Sequence, residues 1–206
     1  RIASSFVCFD ILVIKKNPES YFNFRGTPHN LAAFSNAAGT GEGLSIAEIY
    51  ARAKQDLALS DIKKIKDMAS GLPVIVKGIQ DPEDALAAIA GGADGIWVSN
   101  HGGRELNGAP ASIDVLADIA KAVNHRVPII FDSGIRWGED IAKAIALGAD
   151  VVALGRPMLW ALNLGGAAGV QSAFEHLAEE LKIVMQLTGS HTVAELKHAK
   201  IIEAKF

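Results

Sequence analysis

From Ser60 onward, apolar positions alternate between two rhythms: stripes at helical spacing and short unbroken runs rich in β-branched residues. Ser60-Asp61 opens an amphipathic stretch that reaches Ala69 and is stopped by Gly71. Pro73–Ile79 then reads as a buried strand between turn residues. Asp81-Pro82-Glu83-Asp84 predicts a helix start, because an N-cap acid, a first-turn proline and further acids all suit the positive end of a helix dipole. That helix is predicted to run to about Ala90 and to stop at Gly91-Gly92. Gly95–Ser99 is the next strand, residues 112–123 the next helix, and Val127–Asp132 the third strand. Residues 138–147 make a helix ended by Gly148, and Asp150–Leu154 is the fourth strand. Two closing helices are predicted over roughly 168–188 and 192–199. Unbroken apolar strands alternating with helices indicate an α/β fold, a parallel sheet covered by helices. Four successive strand–helix units fit either half of an eight-stranded barrel or a small doubly wound sheet.

Residues 15–43 have a different texture. Asn17-Pro18, Arg25–Pro28 and Ala38–Gly43 are turn-rich and show little periodicity, which predicts a long loop before a helix at Ser45–Lys54. A loop of that length is usually a lid or a linker. Gly39-Thr-Gly-Glu-Gly43 imitates a nucleotide loop, but no convincing strand precedes it and its spacing departs from the dinucleotide fingerprint. Upstream, Phe6–Ile14 is apolar apart from Asp10 and is a candidate for a remnant strand. The chain begins with Arg1 rather than methionine, so the expectation is a processed, truncated or incomplete product.

Composition narrows the function classes. The formal net charge is −3 and no basic run occurs, which disfavours nucleic-acid and membrane-surface partners. The single cysteine, Cys8, excludes an internal disulfide and suits a reducing compartment, for which the cytoplasm is the expectation. No signal peptide is evident, and no apolar run approaches the ~20 residues needed to cross a bilayer. The histidines at 29, 125, 176, 191 and 198 lack metal-ligand spacing.

The candidate chemistry lies where strands end. Lys77 closes the first strand, and Ser99-Asn-His-Gly-Gly-Arg104 follows the second. Asp132-Ser-Gly-Ile-Arg136 follows the third, and Gly155-Arg156-Pro157 follows the fourth. In parallel α/β folds the C-terminal strand ends form the active face, so the four clusters converge on one site. Singly, each has a plainer reading. Lys77 could snorkel to solvent, His101 could be structural, Arg136 and Arg156 could be surface residues, and Asp132 could cap a loop. Together they are harder to dismiss. Glycine beside His101 permits close ligand approach, and paired arginines after the last two strands occupy a barrel's usual phosphate position.

The strings Pro73-Val-Ile-Val-Lys-Gly78, Ser99-Asn-His-Gly-Gly-Arg104, Phe131-Asp-Ser-Gly-Ile-Arg136 and Ala153-Leu-Gly-Arg-Pro157 carry a resemblance. They resemble the signature of the FMN-dependent L-2-hydroxy acid oxidase and dehydrogenase family, in order and at the right spacings over residues 44–200. Gly95–Ser99, Phe131–Ser133 and Val184–Gly189 look closest to its lactate oxidase branch. The resemblance implies a TIM (β/α)8 barrel of which only the C-terminal four units are recognisable. It divides the chain into an N-terminal remnant with a lid-like loop (1–43) and the C-terminal half of the barrel (44–206).

The resemblance also implies roles. His101 would be the base that takes a proton from the hydroxy acid, a task an imidazole performs near neutral pH. Arg104 would clamp the substrate carboxylate with two hydrogen bonds. Lys77 would lie by the N1–C2 carbonyl edge of the FMN ring and stabilise negative charge there, and Ser99 would also touch the ring. Asp132 would bind the ribityl hydroxyls, with Ser133 beside it. Arg136 and Arg156, with backbone N–H groups near Gly134 and Gly155, would hold the phosphate. Trp137 stands where many relatives carry a second arginine. Tyr50 aligns with an aromatic lid residue of lactate oxidases, or else simply packs its helix.

The implied function is oxidation of a small L-2-hydroxy acid, foremost L-lactate to pyruvate with O2 giving H2O2, by a homo-oligomer that is a tetramer in the family. Two alternatives stand beside it: an inactive half-barrel that binds FMN or phosphate or self-associates, and a different FMN barrel such as an isomerase. The pairing of His101 with Arg104 argues against the isomerase. Four units cannot close a barrel, so the chain alone is expected to be a poor oxidase.

Overall fold

The computed structural model describes residues 10–13 and 58–202, the first four by their backbone alone. The expected loop over residues 15–43, the helix at Ser45–Lys54, Tyr50, His29 and Cys8 lie outside the described residues.

Strand β1 (Asp10–Val13) comes first, then helix α1 (Leu59–Met68) and strand β2 (Val74–Ile79). Helix α2 (Pro82–Ala90), strand β3 (Gly95–Val98), helix α3 (Ser112–Val123) and strand β4 (Ile129–Phe131) follow. The chain then makes helix α4 (Gly138–Ala146), strand β5 (Val151–Val152), helix α5 (Arg156–Leu187) and the short helix α6 (Val193–Leu196). The helix starts obey the capping logic of the sequence. Asp81 Oδ1 accepts the Glu83 N–H at 2.7 Å with Pro82 in the first turn, and Asp61 Oδ2 accepts the Ala58 N–H at 2.9 Å. Such caps contribute roughly 0.5–2 kcal/mol each.

Strands β2 to β5 lie side by side in chain order and pair in parallel. This is the half-barrel order of four βα units. Alternate strand residues point to opposite faces. Val74, Val76, Ile96, Val98, Ile129 and Phe131 point toward the helices and form the main core. The other face carries a lateral row in register, Lys77 beside Trp97, Trp97 beside Ile130, and Ile130 beside Val151. A bulge at Gly78 (φ 93°) lets Lys77 stay on that row while Ile79 returns to the core. The end of the row is uncovered among the described residues: β5 has a neighbour on one side only, and Val151 is 52% exposed.

Two features differ from the sequence expectation. A strand does form within Phe6–Ile14, but it pairs antiparallel with β2, Asp10 opposite Lys77. A barrel strand at that edge would run parallel, so β1 is a sheet-edge strand and not a remnant barrel strand. The second is α5, which begins twelve residues before the predicted residue 168 and is broken at Gly165-Gly166 (Gly166 φ 58°, ψ −145°). Pro157 reads as a turn in sequence, yet a proline in the first helical turn costs no hydrogen bond.

The N-terminal ends of the strands are held by a repeated Gly-Ala-Asp. Asp94 Oδ2 accepts the Val74 N–H at 2.9 Å, with Lys66 Nζ 2.7 Å from Oδ1. Asp150 Oδ2 accepts the Ile129 N–H at 2.9 Å, with Lys197 on its other oxygen. Burial pushes both carboxyls up. The lysine and backbone hydrogen bonds and the lysine charge outweigh it, with His125 adding to the effect at Asp150, and leave both below the ordinary carboxylate range. A carboxyl lowered on folding stabilises the fold above its unfolded pKa, and that stability is lost as pH falls through the folded value. Urea midpoints are therefore expected to drop below about pH 4, with a shallower drop in an Asp94→Asn, Asp150→Asn double variant. An equally steep acid limb in that variant would remove these two groups as its cause. No helix among the described residues is long and apolar enough to cross a membrane.

Candidate active site

The loops that leave the C-terminal ends of β3, β4 and β5 meet at Gly102. Its N–H donates to Ser133 Oγ at 3.0 Å, and its carbonyl accepts from Arg156 Nη2 at 2.7 Å. Ser133 Oγ in turn donates to Asp132 Oδ1 at 2.9 Å. Glycine makes this approach possible: a Cβ at residue 102 would stand 2.6 Å from Arg156 Nη2, and φ is 71°.

His101, Gly102 and Gly103 form a left-handed turn, with φ of 56°, 71° and 72°. That conformation costs a residue with a Cβ roughly 1–2 kcal/mol, so the two glycines confine the strain to His101. Neighbouring polar groups hold the turn in place. Asn100 Oδ1 accepts the Gly103 N–H at 3.0 Å, Asn100 Nδ2 donates to the Pro110 carbonyl at 3.1 Å, and the Asn100 N–H donates to Ser112 Oγ at 2.8 Å. Ser99, 1% exposed, accepts the His101 N–H through its hydroxyl at 3.0 Å.

The turn brings ionisable side chains together. Arg104 Nη2 donates to His101 Nε2 at 2.9 Å, and His101 Nδ1 lies 3.2 Å from Glu105 Oε1. Both face a cavity of about 400 Å³ at the C-terminal strand ends. Lys77, Asp132, Ser133, Gly134, Arg136, Gly155 and Arg156 border the same cavity. Of the cofactor- and substrate-binding residues expected from the sequence, only Ser99 is absent from its wall, and its hydroxyl accepts the His101 N–H.

The lining carries Lys77, Arg104, Arg136 and Arg156 against one carboxylate, Asp132, so the cavity favours an anion. Two of the cations rest on aromatic faces: Lys77 Nζ is 5.5 Å from the Trp97 ring centre, and the Arg136 guanidinium is 5.3 Å from that of Trp160. Arg136 Nη1 also donates to the Ile135 carbonyl at 2.8 Å. Arg156 opens helix α5, whose N-terminal dipole adds to the positive field. A second concavity, along Trp137, Glu139, Glu180 and Ile183, presents two carboxylates and no cation.

Trp97, Glu105 and Trp160 escaped the sequence reading. Trp97 lies two residues before Ser99, so strand periodicity alone puts it on the inner face. Glu105 directly follows Arg104. Trp160 had no usable signal, because its helix was not foreseen.

Comparison with known proteins places the chain in a family. The family described as FMN-dependent dehydrogenase matches residues 12–203. An L-lactate oxidase of Lentilactobacillus hilgardii is 56% identical over 185 residues, which are 90% of this chain and 49% of that protein. An L-lactate dehydrogenase of Xanthomonas campestris pv. campestris is 44% identical over 173 residues, 83% of this chain and 45% of that one. Among solved structures, a Pediococcus acidilactici lactate oxidase superposes with a TM-score of 0.78 at 55% identity, covering 91% of this chain and 49% of its own. The chain thus spans about half the length of the curated relatives it matches. A family match over nearly the whole sequence, with the half-barrel order of the sheet, shows that the chain belongs to the FMN-dependent dehydrogenase family and carries four βα units of a partial (β/α)8 barrel.

Proposed function

We propose that the protein oxidises a small L-2-hydroxy acid, foremost L-lactate to pyruvate, with FMN as its cofactor and O2 as the final acceptor, reduced to H2O2. The observation that carries this reading is the pairing of a histidine base with an arginine 2.9 Å away on the wall of a cationic cavity. In a 2-hydroxy acid the carboxylate and the hydroxyl sit on adjacent carbons, so a clamp and a base must be close neighbours to engage both.

The residues present fit the cofactor. The buried Trp97 Nε1 has no hydrogen-bond partner among the described residues and belongs to a cavity-lining side chain. A Cβ at Gly134 or Gly155 would meet nothing within 4 Å, so ligand atoms have open access to the backbone there. In this reading Arg136 and Arg156 hold the phosphate, Asp132 with Ser133 binds ribityl hydroxyls, and Lys77 faces the ring, with Ser99 at its edge. Bound FMN would supply the two-electron acceptor. His101 takes the hydroxyl proton at Nε2, Arg104 fixes the carboxylate, and Lys77 provides positive charge where negative charge develops.

A cytoplasmic location and a homo-oligomeric state belong to the same proposal. Supporting the second, Leu159, Trp160, Leu162 and Leu164 expose apolar surface on the first segment of α5. The test is anaerobic addition of L-lactate to the FMN-loaded chain, with D-lactate as control, followed by the flavin's visible absorbance. Bleaching by the L isomer alone is expected, slowly for the 206-residue chain because the row ending at Val151 is open. A chain that takes up no FMN, or a bound flavin indifferent to L-lactate, would overturn the assignment.

A further inference from the structure

We propose that Trp160 is the positioning residue for Arg136: its ring holds the guanidinium at the cavity wall without occupying the N–H groups that a phosphate needs. The inference deepens the proposed FMN reading and rests on it for the identity of the anion.

The contacts of Arg136 carry it. The guanidinium centre is 5.3 Å from the centre of the Trp160 ring, and Nη1 donates to the Ile135 carbonyl at 2.8 Å. No carboxylate pairs with that guanidinium among the described residues. A carboxylate would also orient the side chain, but it would take up hydrogen-bond donors and cancel the charge. An aromatic face attracts the cation through its quadrupole and leaves the in-plane N–H groups free. A guanidinium carries more N–H groups than the Ile135 carbonyl can use, and the rest remain for an anion in the cavity that Arg136 borders.

The fold explains why the ring is there. Trp160 lies four residues after Arg156, one turn along the first segment of α5, so both side chains leave the same side of the helix. Arg156 Nη2 ties that segment to the Gly102 carbonyl at 2.7 Å. The break at Gly165-Gly166 separates it from the later part of α5, where Leu181, Val184 and Met185 pack against α4. The first segment thus supplies one cation to the cavity directly, Arg156, and aligns a second that comes from the loop after β4. Trp160 is not part of the cavity wall, so it acts on a bound anion through Arg136. Without the ring, the Arg136 side chain would be ordered only as the anion arrives, and that ordering would be subtracted from the affinity.

Titration of the full chain with FMN and with riboflavin, followed by flavin fluorescence at fixed salt, tests the role. Trp160→Leu is expected to weaken FMN binding by roughly two- to fivefold, the scale of an exposed cation–π contact, and to leave riboflavin binding unchanged. Trp160→Phe, which restores an aromatic face, keeps most of the wild-type affinity for FMN. In an Arg136→Ala background, Trp160→Leu adds no further loss, because the two residues act as one unit. Wild-type FMN affinity in Trp160→Leu, an equal loss for riboflavin, a phenylalanine variant as weak as the leucine one, or additive losses in the double variant would each overturn the assignment. The two readings fail separately. A loss in Arg136→Ala without one in Trp160→Leu removes only the role of Trp160. Undiminished FMN binding in Arg136→Ala removes the phosphate assignment of Arg136, and the role of Trp160 with it.

Discussion

With Arg136 and Arg156 both replaced by alanine, FMN affinity is expected to fall by roughly 10²-fold, while the affinity for riboflavin stays near its starting value. Each guanidinium would supply a charge-assisted hydrogen bond to the phosphate, worth ~1.5–3 kcal/mol. Arg156 is exposed and Arg136 half-buried, so the lower end of that range applies. Two such losses amount to about 3 kcal/mol, or about two decades of affinity. Riboflavin keeps the ring and ribityl chain without the phosphate, so it isolates the contribution of the arginines. It also controls for a second effect, because Arg156 holds the Gly102 carbonyl and its removal loosens the meeting point of three loops. The His101 turn retains its bonds to Ser99, Ser133 and Asn100, which argues that the wall survives the change. Fluorescence titration of both flavins at fixed salt decides the matter. Undiminished FMN binding in the double variant, or an equal loss for riboflavin, would move the phosphate elsewhere.

The parts of the fold that the sequence made legible are those governed by local rules. Asp81-Pro82 caps its helix where the pattern says, and the β-branched runs at Val74–Ile79 and Ile129–Phe131 become buried strands. The direction of β1 was not legible, since a run as short as Asp10–Val13 has the same pattern in either pairing, and only its neighbour settles the choice. The early start of α5 was hidden by Pro157, which marks a turn or a first helical turn with equal force. At the site, the polar residues were visible because they interrupt apolar strands at their ends. The connections between them were not. That Gly102 is clasped by both Ser133 and Arg156 depends on a turn with three successive positive φ angles, for which His-Gly-Gly is permissive but not decisive. Ser99 shows the limit well: its position directly after β3 is evident, yet its hydroxyl is committed to the His101 N–H.

His101→Gln is expected to leave FMN bound and to lower the rate of flavin reduction by L-lactate by roughly 10²-fold or more, the usual scale for removing an acid–base group. Glutamine fills similar space and can hydrogen-bond a hydroxyl, but it cannot take a proton from one. FMN affinity is spared because the cations proposed to bind the phosphate lie after β4 and at the start of α5, whereas His101 lies after β3. Arg104→Lys makes the complementary change. It keeps the charge and forfeits the fork, so the substrate's dissociation constant rises before the limiting rate changes much. The two variants together test the geometry rather than either residue alone. Base and clamp are 2.9 Å apart, so a carboxylate must draw Arg104 away before Nε2 can meet the hydroxyl. A ligand with the carboxylate alone, such as propionate, should therefore bind wild type and lose affinity in Arg104→Lys but not in His101→Gln. Stopped-flow reduction at saturating L-lactate and propionate competition give the separate numbers. Near-wild-type reduction in His101→Gln would mean that the proton leaves to another group. Equal propionate affinity across all three proteins would mean that Arg104 is not the clamp.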